Sequence, residues 1–110
     1  MTLYELRHYQ TFPHNREWLH ERFAEHTVPI FERLGLESLG FFEVSAGSAE
    51  GDLIYLMRWE SHIAREDGWA RFAADDEWRE ARTSTNSQHG PLVARTHSIL
   101  MRPTRYSRLV

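Results

Sequence analysis

The sequence contains no cysteine. Disulfides, thiolate nucleophiles and cysteine-ligated zinc or iron–sulfur centres are therefore excluded. Lysine is missing as well, so all 13 basic residues are arginines. This excludes a side-chain Schiff base with pyridoxal phosphate or a carbonyl substrate, and it excludes the phosphate-binding lysine of a Walker A loop. No apolar run approaches the ~18 residues of a membrane-spanning helix. The opening stretch Met1–Tyr9 carries Glu5 and Arg7, unlike a signal peptide. A soluble cytoplasmic protein is expected, with no membrane partner. Positive charge is also in short supply: the formal net charge is −3, which argues against nucleic acid as a partner. Arg102, Arg105 and Arg108 read as a solvated basic end. Neither Gly-x-Gly-x-x-Gly nor Gly-x-Ser-x-Gly occurs, so no dinucleotide site or serine hydrolase elbow is expected. The histidines His8, His14, His20, His26, His62, His89 and His97 never fall at His-x-x-x-His spacing, and neither a metal nor another cofactor is expected.

The chain has 110 residues, 41% hydrophobic and 13% aromatic. That suits one domain, 1–110, with a substantial core. The stretch from Arg16 to Val44 organises the rest. Leu19, Phe23, Ile30 and Leu34 recur at helical spacing, whereas Glu17, Glu21, Glu25 and Glu32 share a solvent face. His26 interrupts the apolar arc. Pro29 removes a backbone donor and predicts a kink or break that re-aims Ile30–Leu34. Gly35 stops the helix.

Strand-like alternation over Thr2–Thr11 puts Leu3, Glu5, Arg7 and Tyr9 on one face and Tyr4, Leu6 and His8 on the other. Asn15 is the expected N-cap of the first helix. Leu36–Val44 reads as a second strand and Ser45–Asp52 as a loop. Leu53–Glu60 is a nearly continuous apolar run, the pattern of a central strand covered on both faces. Ser61 caps a helix over His62–Ala74 with Trp69, Phe72 and Ala73 as its buried stripe. Asp75–Trp78 starts another helical stretch, Thr83–Gly90 reads as a polar loop, and Val93–Met101 is a fourth strand stopped by Pro103. The order is β-α-β, loop, β-α-β. This is an α+β, ferredoxin-like βαββαβ pattern, a four-stranded antiparallel sheet with helices on one face. The other face carries apolar residues and no helix to cover them, so a homodimer packing sheet against sheet is expected.

Several segments resemble the NIPSNAP family: Tyr4-Glu5-Leu6-Arg7 with Tyr9 and Pro13, Glu25-His26-Thr27-Val28-Pro29-Ile30-Phe31 and Gly40-Phe41-Phe42. Leu53-Ile54-Tyr55-Leu56, Ala74-Asp75-Asp76-Glu77-Trp78 and Ile99-Leu100-Met101-Arg102-Pro103 add to the resemblance, which covers nearly the whole chain. It implies a dimeric α/β barrel of two ferredoxin-like subunits. It implies less about activity, because the family is functionally heterogeneous. Its structural relatives include cofactor-free monooxygenases and cyclases acting on aromatic polyketides, and haem-binding proteins.

Three groups of residues are candidates for chemistry. His26 is either a core residue hydrogen-bonded to a neighbour or a general acid/base, since a partly buried imidazole titrates near working pH. The resemblance, through its His-Thr-x-Pro pattern, adds weight to the second reading. Glu5 and Arg7 share a strand face with Tyr9 and either form an ordinary ion pair or jointly bind a ligand's polar group. Tyr55, Trp59, Trp69, Phe72 and Trp78 are either core or the lining of an apolar pocket. Arg58 is expected to pair with Glu43 or Glu60, or to reach the dimer interface. Two functions follow. One is a cofactor-independent enzyme (monooxygenase, cyclase or isomerase-like) acting on an apolar or aromatic metabolite, with His26 as acid/base and Arg7 or Tyr9 polarising an oxygen. The other is a non-catalytic ligand-binding or scaffold protein.

Overall fold

The computed structural model describes residues 2–110. The chain runs β1 (Leu3–Thr11), a 3-10 turn (Pro13–Asn15), α1 (Arg16–Arg22), a π turn (Phe23–Thr27), α2 (Val28–Leu34), β2 (Glu37–Glu43), β3 (Leu53–Trp59), α3 (His62–Ala74), α4 (Asp76–His89) and β4 (Val93–Met101). The four strands form one antiparallel sheet in the order β2-β3-β1-β4, the ferredoxin-like arrangement that the element order predicts. Among the described residues, no helix is long and apolar enough to cross a membrane.

In β3, Leu53, Tyr55, Met57 and Trp59 are buried beneath the helices, and the alternate residues Ile54, Leu56 and Arg58 are half-buried on the far side. Cross-strand pairing brings Leu6, Ile54, Leu56, Phe42 and Ile99 onto that far side, with Phe42 57% and Ile99 55% exposed.

The helical segment after β1 buries Leu19, Phe23 and Ile30, as its periodicity predicts. The break anticipated at Pro29 takes the form of the π turn. The Val28 N–H reaches back to the Phe23 carbonyl, one residue further than in an α-helix, and Pro29 falls in the first turn of α2, where a missing N–H is tolerated. Gly35, at φ 73°, closes α2, with the Leu36 N–H donating to the Phe31 carbonyl at 2.8 Å. The Ser61 hydroxyl caps α3 by accepting from the Ala64 N–H at 3.0 Å. A Cβ on Gly68 would lie 2.5 Å from the Trp59 ring, so only glycine lets α3 sit this close to β3.

Three expectations are corrected, and two of the three places open to Arg58 are excluded. Ala73 is exposed, and Phe72 with Gly68 forms the buried line of α3, flanked by half-buried Trp69. The expected loop Thr83–Gly90 is helical up to His89. Asp75 caps this helix through the Trp78 N–H at 3.0 Å, the Thr85 hydroxyl bonds back to the Ala81 carbonyl, and Ala81 is buried, so tertiary packing overrides a polar, turn-prone composition. Asn15 makes no cap bond. Its side-chain amide donates instead to the His89 and Pro91 carbonyls at 3.0 and 2.8 Å, tying the end of α4 to the start of α1. Arg58 pairs with neither Glu43 nor Glu60. It lies 3.8 Å from Glu37 and donates to the Val110 carbonyl at 2.7 Å.

Candidate functional site

The alternation of β1 sends Glu5, Arg7 and Tyr9 under the helices. Glu5 is fully buried. A bare carboxylate there would carry a heavy desolvation cost, and the fold surrounds it with donors. Oε1 accepts from the indole N–H of Trp59 at 3.0 Å, the indole N–H of Trp69 at 2.9 Å and Nε of Arg65 at 3.0 Å. Oε2 accepts from Arg65 at 2.9 Å and has the Arg7 guanidinium 3.7 Å away. Burial alone would raise the Glu5 pKa, but the donors from Arg65 and Trp69 outweigh it and hold the carboxyl below its ordinary value.

Since Arg65 already grips Glu5 with two bonds, Arg7 is left to other partners. It donates to the hydroxyls of Ser98 at 2.8 Å, Tyr9 at 3.2 Å and Tyr55 at 3.3 Å, and its guanidinium lies 4.6 Å from the centre of the Trp69 ring. Those bonds use one hydrogen each, so two of its five N–H groups remain for a further acceptor. Burial works to lower the Arg7 pKa, and the facing oxygens of Tyr9 and Tyr55 raise it overall. The Tyr9 and Tyr55 hydroxyls are 2.8 Å apart. Burial, with Tyr9 alongside, pushes the Tyr55 phenol well above its ordinary pKa.

Above this cluster lies a cleft of about 530 Å³ lined by Arg7, Tyr9, Arg65, Glu66, Trp69, Phe72, Ala73 and Trp78. Of the residues expected to line a pocket, Trp69, Phe72 and Trp78 do so, together with Arg7 and Tyr9. Tyr55 and Trp59 are core residues below the floor and reach the cluster only through their polar atoms. His26 is not brought to this place. Half-buried, it lines a separate cleft of about 420 Å³ between α1, the π turn and α4, beside Glu21, Glu25, Glu77 and Glu80. His26 lies within the π turn, where the α-helical spacing that would align it with Phe23 and Ile30 does not hold. The expected pairing of His26 with Arg7 and Tyr9 is corrected accordingly. Among the described residues no cluster of three or more histidines and carboxylates is placed to hold a metal.

Sequence reasoning missed Arg65, the main partner of Glu5, and Arg22, a buried cation on α1. Arg65 falls four residues before Trp69, so both sit on one face of a helix, and that spacing was the available signal.

This geometry can hold an apolar or aromatic body against three rings and place an oxygen of that body at a positive floor. One carboxylate, Glu5, faces two guanidiniums, Arg7 and Arg65, so these three groups sum to +1 at the floor, with the Glu66 carboxylate on the cleft wall.

The NIPSNAP family model matches residues 4–108. The chain belongs to the NIPSNAP family. Among solved structures, a NIPSNAP family protein from Agrobacterium tumefaciens is 17% identical over 100% of both chains, with a TM-score of 0.87. An uncharacterised NIPSNAP-like domain protein from Burkholderia xenovorans is 21% identical over 96% of this chain and 88% of its own, with a TM-score of 0.83. An antibiotic biosynthesis monooxygenase shares the fold at a TM-score of 0.62 and 13% identity, over 93% of this chain and 98% of its own. These likenesses establish the NIPSNAP fold alone. No curated protein matches the sequence.

Proposed function

We propose that this NIPSNAP protein binds a small apolar or aromatic molecule in the cleft over Arg7, and that it does so as a homodimer joined through the open sheet faces. The observation that carries the binding reading is the Arg7 guanidinium at the floor of an aromatic cleft, with two N–H groups unspent and a carboxylate that belongs mainly to Arg65. A volume of about 530 Å³ lies within the range of small-molecule sites and differs from the filled core of a scaffold protein. The dimer is supported by the apolar row Leu6, Ile54, Leu56, Phe42 and Ile99 on the face without helices.

A catalytic reading is favoured by one feature. The same guanidinium, beside the Tyr9 hydroxyl, is preorganised to stabilise negative charge developing on a ligand oxygen, as an enolate or phenolate would present it. A cofactor-independent enzyme of monooxygenase, cyclase or isomerase type would use this device. The monooxygenase with a similar fold is consistent with that reading. The acid/base in such a reaction is not His26, which faces the other cleft.

The test compares 2-naphthol with naphthalene by quenching of tryptophan fluorescence, since Trp69 and Trp78 line the cleft. Both quench saturably, and 2-naphthol binds about tenfold tighter through a charge-assisted hydrogen bond. Arg7→Met abolishes that difference. Absence of saturable quenching by either compound refutes the proposal.

A further inference from the structure

Beside the aromatic cleft, and sharing Tyr9 and Trp78 with it, lies a second cavity of about 300 Å³ between α1, α4 and β4. Arg22, Arg82, Asn86 and Thr96 are the polar residues in its lining, with Tyr9 at the shared wall. Arg22 is only 7% exposed, and its Nε–H has no hydrogen-bond partner. Its remaining contacts are neutral: the Asn86 side-chain oxygen at 3.3 Å and the face of the Trp78 ring at 5.1 Å. Among the described residues, Arg22 and Arg82 are two of eight arginines with no carboxylate within 4.0 Å, and of these eight only Arg22 is buried. Glu21, Glu25, Glu77 and Glu80 line the cleft of about 420 Å³ together with Arg22, and none of them comes within 4.0 Å of its guanidinium.

A buried cation with an orphaned donor and a second cation for a neighbour is costly unless something negative joins them. The proximity of Arg82 is also felt electrostatically: burial lowers the Arg22 pKa, and the Arg82 charge adds to the lowering against the opposing effect of Tyr9. We propose that the Arg22–Arg82 cavity is an oxyanion site that takes a carboxylate or phosphate group, and that this group is the acidic end of the molecule whose apolar part lies in the aromatic cleft. The first half stands on Arg22 and Arg82 alone. The second half rests on the reading of the aromatic cleft as a ligand site, and it makes the ligand an apolar or aromatic acid. Trp78 is the hinge of that assignment, because it forms a wall of both cavities and stacks under Arg22.

The experiment measures melting temperature at pH 7 in inorganic phosphate and in chloride at equal ionic strength. Phosphate raises the melting temperature of the natural sequence by about 5 °C, the size expected when an ion at roughly ten times its dissociation constant binds only the folded state. Arg82→Gln, at an exposed position, retains the melting temperature in chloride and loses most of the rise. Arg22→Met loses the rise entirely, while Arg105→Gln in the basic tail retains it. A rise that survives both Arg22→Met and Arg82→Gln, or no rise at all, overturns the oxyanion site. Tryptophan quenching by benzoate and by benzyl alcohol separates the two halves. Benzoate binding at least tenfold tighter than benzyl alcohol, with the difference lost in Arg82→Gln, is the expected result. Equal binding of the two refutes the acidic end but leaves the aromatic cleft standing. A phosphate response that follows the variants, with neither aromatic compound binding, leaves the oxyanion site standing and refutes the cleft.

Discussion

Glu5 shows how one side chain can carry both the packing and the electrostatics of a site. Its two oxygens collect four hydrogen bonds from β3 and α3, so removing the carboxylate leaves two indoles and the Arg65 guanidinium without their acceptor. Glu5→Gln is expected to cost about 1–3 kcal/mol in urea melts, because one acceptor oxygen becomes an amide donor facing the indoles and the partly exposed Arg65. The same carboxylate makes stability depend on pH. Its folded pKa lies below the unfolded value, so the unfolded state binds more protons between the two. The contribution is complete above the ordinary carboxylate pKa of roughly 4.3 and is lost as pH falls below it. Melting temperatures of the natural sequence and Glu5→Gln should therefore converge as pH drops from 5 towards 3. Persistence of the full difference at pH 3 would show that the ionised form is not what stabilises the fold. His26 makes the opposite case. It lies in its own acidic cleft, so His26→Ala is expected to leave 2-naphthol affinity unchanged within about twofold, and a loss of tenfold or more would return it to the site.

The helical segment from Arg16 to Leu34 is where pattern and packing agree best. Phe23 begins the π turn and packs its ring against Tyr9, Tyr55 and Phe41 at centroid distances of 5.7, 5.5 and 5.9 Å. Phe23→Ala should destabilise by about 3–5 kcal/mol, while Glu21→Ala on the exposed face stays within about 0.5 kcal/mol. Equal effects in urea melts would mean that this helix presents a different face. The far end of helix α4 is held by the Asn15 amide together with the Arg22–Asn86 bond and the Trp18–His89 stack. Asn15→Ala strands the His89 and Pro91 carbonyls and should cost about 1–3 kcal/mol, with amide exchange accelerated in the last turns of α4. Uniform acceleration across the whole chain would instead show that α4 has no separate anchor.

At the level of the assembled protein, the two faces of the sheet have different fates. One is covered by the helices apart from the cleft over Arg7 and Tyr9, and the other presents Phe42 and Ile99 more than half exposed around half-buried Leu6, Ile54 and Leu56. Burying such a face against its copy is the expected use, with on the order of 800 Å² covered per subunit for a stable pair. Light scattering at micromolar concentration should return the dimer mass, and Ile99→Glu should return the monomer while keeping the circular dichroism of the fold. A natural sequence that sediments as a monomer would refute the sheet-to-sheet pairing.

The element order, the buried face of the first helix, the Gly35 stop and the βαββαβ topology were all determined by the sequence alone. Each depends on a period or a cap that repeats within a few residues, and local periodicity survives without knowledge of the partner. The meeting of charges was decided only by the tertiary structure. Glu5 finds Trp59, Arg65 and Trp69 at separations of 54, 60 and 64 residues, and no local pattern encodes how α3 is rotated over β1. The helical state of Thr83–His89 was likewise settled by contacts, since burial of Ala81 and the bond from Arg22 to Asn86 outweigh a turn-prone composition. His26 falls inside the π turn, where α-helical spacing does not hold, and it lines a different cleft from Arg7.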